Sequence, residues 1–69
     1  MEDEMVLASR LRKAMEERGI DRTELRRMLG CSYSAVNAWV VGDRVPTASR
    51  LADICRALDV SADWLLGLV

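Results

Sequence analysis

Cys31 and Cys55 are the most reactive side chains in this 69-residue sequence, and a thiol can attack a carbonyl, cycle through a disulfide or ligate zinc. Each of those uses needs company. A zinc site takes about four ligands and a nucleophile needs a general base, yet the sequence has no histidine and two cysteines only. Both thiols sit among apolar neighbours at helical spacing, so packing is their expected role. The chain is therefore expected to be no enzyme, to hold no metal and to need no cofactor. What remains is the chemistry of hydroxyls, amides and guanidinium groups, and these act only where a scaffold presents them outward.

That scaffold is written most clearly between Ile20 and Gly42. Asp21 caps a helix whose third position is Glu24, and Ile20 and Leu25 stand at the spacing of a hydrophobic staple. Gly30 can adopt the left-handed conformation that closes this helix and turns the chain. Ser32 then caps a second helix, Cys31 and Val36 repeat the staple, and Val36, Trp39 and Val40 share one face before Gly42 stops it. Two short helices on a tight turn bury one common face and leave the other side of the second helix bare, the arrangement of a helix-turn-helix.

Three more helices are predicted around it. The first spans about Met5 to Arg18, with Leu7, Leu11, Ala14 and Met15 inward and Gly19 as its stop. After the connector Asp43 to Pro46, Thr47 caps a fourth helix that turns Leu51, Ile54, Cys55 and Leu58 inward. Ser61 caps a fifth, Ala62 to about Leu68. No strand pattern, repeat or linker competes, so the fold class is all-α with five helices in a single domain, 1–69, of which 1–4 is expected to be a disordered acidic start.

Charge qualifies what the bare face can bind. Ten Lys and Arg against eleven Asp and Glu leave a net charge of −1, which speaks against a strongly basic nucleic-acid binder. The distribution is uneven, however. Glu2, Asp3 and Glu4 are all acidic, residues 51–69 carry one Arg against three Asp, and residues 5–50 carry nine basic side chains against five acidic ones. No apolar run approaches the ~20 residues that span a bilayer, and the acidic start is unlike a signal peptide. A reduced, cytoplasmic chain is expected, with no membrane and no small-molecule ligand among its partners.

The stretch Ile20-Asp21-Arg22-Thr23-Glu24-Leu25 through Leu29-Gly30-Cys31-Ser32, then Val36, Trp39, Gly42, Pro46 and the closing Leu58-Asp59-Val60-Ser61-Ala62-Asp63-Trp64-Leu65-Leu66, resembles the phage repressor and Cro-like (XRE-type) helix-turn-helix proteins. The resemblance covers the chain from about Leu7 to Gly67. It implies a five-helix lambda-repressor-like domain whose third helix enters the major groove of operator DNA, often as a homodimer. The base-reading positions carried over are Ser32, Tyr33, Ser34, Asn37 and Ala38: Asn37 can pair bidentately with adenine, Ser34 with several base edges, and Ala38 can meet a thymine methyl. Arg22, Arg44 and Thr47, the last at a helix start, fall at phosphate-binding places.

Three departures from that pattern concern this chain alone. A buried ion pair common in the family is replaced by Met15 and Val40, which are predicted to touch across the core. Arg22 stands where glutamine is usual and could hold a phosphate or stack on Tyr33; otherwise it is a solvated arginine. Arg26 occupies a place that is usually small, so either it snorkels along Ala35 and Ala38 or the angle between the two helices opens, and the first is favoured.

Trp64, Leu65, Leu68 and Val69 give the last helix more apolar surface than a small core requires, and an isologous dimer would bury the surplus. The alternative is that Trp64 and Leu65 complete the monomer core. The resulting expectation is a sequence-specific transcriptional regulator, a repressor acting as a dimer on a partly palindromic operator in double-stranded DNA. The competing expectation is a helix-turn-helix protein-interaction module, such as part of an antitoxin or an adaptor.

Overall fold

A computed structural model describes the backbone of residues 2–69 and the side chains of 6–69. The helices are α1 Glu2–Arg18, α2 Arg22–Leu29, α3 Tyr33–Val41, α4 Ala48–Leu58 and α5 Ala62–Leu65. The architecture is all-α, as the residue pattern implies. α1 reaches back to Glu2 rather than starting near Met5. The expectation of disorder for 1–4 falls on Met1 and on residues whose side chains lie outside the described set.

Each of the four predicted caps, for α2 to α5, is in place. Asp21 Oδ1 accepts the amide of Glu24 at 2.8 Å, Ser32 Oγ that of Ala35 at 3.1 Å, Thr47 Oγ1 that of Arg50 at 3.3 Å and Ser61 Oγ that of Trp64 at 3.1 Å. Each cap satisfies an amide that the first helical turn would otherwise leave unpaired.

The fifth helix is shorter than expected and ends at Leu65, not Leu68. The reason is Gly67, whose φ of +79° lets the amide of Leu68 reach back to Asp63 O at 2.8 Å. A Cβ at Gly67 would also stand 2.7 Å from Val6 Cγ1, so the turn after α5 packs directly on α1. α4 closes by the same kind of reach, Val60 to Cys55 O at 3.0 Å, but around Asp59 at φ +55° instead of a glycine.

α1 packs against α3, α4 and α5, while α2 packs against α3 and α4. One core cluster results, with Leu11, Ala14, Leu25, Val36, Ile54, Leu58 and Leu65 fully buried at its centre. Cys31 and Cys55 pack on its margin, which is the role their surroundings implied. Among the described residues, no helix is long and apolar enough to cross a membrane.

The bundle is tied by arginines at helix ends. The last carbonyls of a helix lack amide partners and carry its negative pole. Arg50 donates to Leu29 O at the end of α2 (2.8 Å), Arg12 to Val40 O near the end of α3 (2.7 Å) and Arg18 to the α4 cap Asp59 O (3.2 Å). Arg10 donates to Trp64 O in α5 and to Val69 O, with its guanidinium 5.3 Å from the centre of the Trp64 ring. Four of the ten basic side chains are thus engaged with the fold itself.

Candidate nucleic-acid interface

The turn between α2 and α3 consists of Gly30, Cys31 and Ser32. Gly30 adopts φ +68°, and the amide of Cys31 returns to Arg26 O at 3.1 Å, so α2 is closed before Ser32 opens α3. Leu25 beneath the turn and Val36, Trp39 and Val40 along α3 are buried. With that stripe held inside, the opposite side of α3 has to face out. At 1.5 Å per residue it is about 13 Å long, short enough to lie in a DNA major groove.

The outward side holds the residues expected there. Ser32, Tyr33 and Ser34 are exposed, and Asn37 and Ala38 are half-buried farther along. Ser32 has a second task as the α3 cap, which occupies one lone pair of its oxygen and leaves its hydroxyl proton available. Tyr33 presents about half its surface to solvent. Tyr33, Ser34 and Asn37 make no side-chain hydrogen bond among the described residues, so their polar side-chain atoms are free for an incoming partner.

Beyond α3, the chain is gathered by a single carbonyl. Ala38 O accepts the amides of Gly42 at 3.1 Å, Asp43 at 2.9 Å and Arg44 at 3.2 Å. This fixes where Arg44 leaves the loop. Its side chain is exposed and, among the described residues, has no ion pair with Asp43 or any other carboxylate. Thr47 follows at the start of α4, its oxygen accepting from Arg50 and its proton still able to donate. The connector after α3 thus carries a guanidinium without an ion pair among the described residues and leads into a helix start, two groups suited to phosphate oxygens.

Arg22 is placed differently from the expectation of stacking. The cation–π contact among the described residues is Arg10 over Trp64, not Arg22 over Tyr33. Arg22 instead lines an open groove of about 360 Å³ with Arg12, Met15, Glu16, Ile20 and Val40, and its Nε is buried without a hydrogen-bond partner among the described residues. Arg26, Ala35 and Ala38 are each half-buried. Met15 and Val40, with 6% and 2% of their surface exposed, belong to the same core cluster and border the Arg22 groove together.

The C-terminal set separates into two groups. Leu65 is fully buried in the chain's own core and has no surface to give a partner, which corrects its assignment to a dimer interface. Trp64 is half-buried beneath Arg10. Leu68 and Val69 stay open, with 70% and 73% of their surface in solvent.

The arginines at helix ends escaped the reading of the sequence. Their signal was present: α3 and α5 have no basic residue in their last turns, and Arg10 and Arg12 flank the inward-facing Leu11 on either side. An arginine's type does not say which carbonyl it will find, however.

A family model described as Helix-turn-helix matches residues 11–65, most of the chain and the whole of the arrangement above. The chain belongs to the Cro-like helix-turn-helix family. No curated protein and no solved structure matches it. As a family member it is a DNA-binding helix-turn-helix regulator, with α2 and α3 as the motif.

Proposed function

We propose that this helix-turn-helix regulator is a cytoplasmic repressor that occupies a partly palindromic operator as a homodimer and blocks polymerase. The observation that carries the reading is the bare outer side of α3, where Ser32, Tyr33 and Ser34 are exposed at its start, while beyond its end an exposed Arg44 has no ion pair among the described residues. Asn37 and Ser34 supply the base contacts, Ala38 meets a thymine methyl, and Tyr33 and Ser32 serve the groove edge. Arg22, Arg44 and Thr47 hold phosphates, which sets register without reading sequence. Pairing runs through Leu68 and Val69 with the exposed part of Trp64, and places two recognition helices about one DNA turn, ~34 Å, apart.

Selection of duplexes from a random pool, followed by sedimentation of free and bound protein, tests this directly. A palindromic consensus bound by two chains is the expected result, and Leu68→Glu should lower both dimer formation and operator affinity. A non-palindromic consensus bound by one chain would remove the dimer from the proposal.

A second reading is favoured by the net charge of −1 and by exposed Val41 at the end of α3 and Val45 in the connector after it. In it the α3 side meets a protein, as in an antitoxin or adaptor. Salt separates the two. Binding to DNA weakens steeply as monovalent salt rises, through release of counterions from the phosphates, whereas an apolar protein contact does not.

A further inference from the structure

We infer that Arg12, on α1, positions the recognition helix for base reading without itself touching DNA. The inference rests on the DNA-binding reading of α3 and concerns a residue outside the proposed contact surface.

The two ends of α3 are held by unlike means. At its start, Ser32 caps it and the Gly30 turn ties it to α2. At its end there is no basic residue in the last turn, and buried Val40 there, like Met15 of α1 in the same core cluster, is apolar. Apolar contact resists separation but is not directional, so alone it leaves sliding and rotation of the helix end weakly defined. Arg12 Nη1 donates to Val40 O at 2.7 Å, a short charged hydrogen bond to the negative pole of the helix. It is the side-chain hydrogen bond that joins α1 to α3 among the described residues.

Two parts of the proposed contact surface depend on that anchor. Asn37 and Ala38 lie within one turn of Val40. Arg44 hangs from Ala38 O through its own amide, together with those of Gly42 and Asp43. If the end of α3 shifts, Asn37 and Arg44 shift with it, while Arg22 on α2 and Thr47 on α4 stay where those helices hold them. Sequence reading demands that all of these meet one duplex at once, whereas non-specific binding tolerates a range of poses. Loss of Arg12 should therefore fall mainly on specificity.

The test compares wild type, Arg12→Met, which keeps the stem and loses every donor, and Arg12→Lys, which keeps the charge and an N–H donor. Each is titrated with a duplex selected by the wild-type chain and with a random duplex, over a range of salt and well below its unfolding temperature. Arg12→Met is expected to bind the selected duplex about tenfold more weakly, the worth of one charge-assisted hydrogen bond, with a much smaller change on random DNA. Arg12→Lys should recover most of the loss. Amides of Gly42, Asp43 and Arg44 should exchange with solvent faster in Arg12→Met than in Arg12→Lys. Should Arg12→Met fail to fold, Arg12→Gln decides by the same ratio of selected to random binding.

Equal losses on both duplexes, with a salt slope lower by about one, would make Arg12 a phosphate contact and overturn the inference. A lowered melting temperature with unchanged affinities would reduce Arg12 to a purely structural role and overturn it as well. Failure of the wild-type chain to select any duplex would instead strike the DNA reading itself, and the inference would fall with it.

Discussion

The guanidinium of Arg50 donates to the carbonyl oxygen of Leu29 at 2.8 Å and so joins the start of α4 to the last residue of α2. Arg50 also lies 3.7 Å from Asp53, but both side chains are more than a third exposed and that pair adds little. The carbonyl is the important partner, because Leu29 O is one of the orphaned acceptors of a helix end. Arg50→Ala should destabilise the fold by about 1–2 kcal/mol, discounted for partial exposure, against about 0.5 kcal/mol or less for Asp53→Ala. Chemical denaturation of the two variants checks the difference, and equal losses would mean the ion pair matters as much as the cap.

Val40 is 2% exposed and Met15 6%, in a family where an ion pair commonly occupies these places. Putting back one charge places it in the core without the arginine that pairs with it in the family. Val40→Glu should cost about 3 kcal/mol or more, and Met15→Arg added to it should restore part of the loss. The readout is the denaturation midpoint of wild type, the single variant and the pair. A single variant as stable as wild type would show that position 40 can turn its side chain to solvent.

How far the fold could be read in advance depended on whether the signal was local. Caps at Asp21, Ser32, Thr47 and Ser61 and the closing turn at Gly30 act within five residues, and type and spacing announce each of them. The buried stripe of α3 follows from helical period, and the bare side follows from the stripe. Contacts across the bundle were not legible: Arg12 reaches Val40 over 28 positions and Arg10 reaches Trp64 over 54. Leu65 and Leu68 look alike in sequence, yet the turn at Gly67 puts one in the core and the other in solvent. The end of α4 was hidden because Asp59, not a glycine, takes the left-handed conformation there.

The left-handed turn at Asp59 bears on stability. At φ +55° Asp59 carries a strain that glycine would not have, although glycine loses more freedom on folding. The two effects nearly offset, and Asp59→Gly should change stability by less than about 1 kcal/mol, in the stabilising direction. Asp59→Val combines the same backbone with a branched side chain and should be clearly destabilising. Arg18 bonds to the main-chain oxygen of residue 59, so neither substitution removes that contact. Melting temperatures order the three proteins, and a valine variant equal to wild type would show the left-handed turn to be dispensable.

Burial pushes the Cys55 thiol above its ordinary value of 9.0, with the neighbouring Arg56 pulling the other way. The folded chain therefore holds this proton more tightly than the unfolded chain. Its contribution to stability is complete below the ordinary value and is lost as pH rises through the raised one. Wild type should lose stability more steeply than Cys55→Ala between about pH 8 and about pH 10. Denaturation midpoints of both proteins at the two pH values measure this, and parallel pH profiles would show that the thiol does not titrate in that window.

Asn37 and Arg44 divide the proposed DNA contacts into reading and holding. Asn37 is half-buried on the outer side of α3, where a carboxamide can meet an adenine edge with two hydrogen bonds. Asn37→Ala should cost about 1–3 kcal/mol on the selected duplex and little on random DNA. Arg44 is exposed, has no ion pair among the described residues and is fixed at its base by Ala38 O, which suits a phosphate. Arg44→Ala should weaken binding to both duplexes about equally and lower the salt slope by about one. Equilibrium titrations of both variants across salt distinguish the patterns. If Asn37→Ala lost as much on random as on selected DNA, the amide would be a backbone contact, and discrimination would have to come from Ser34 and Tyr33 at the start of the helix.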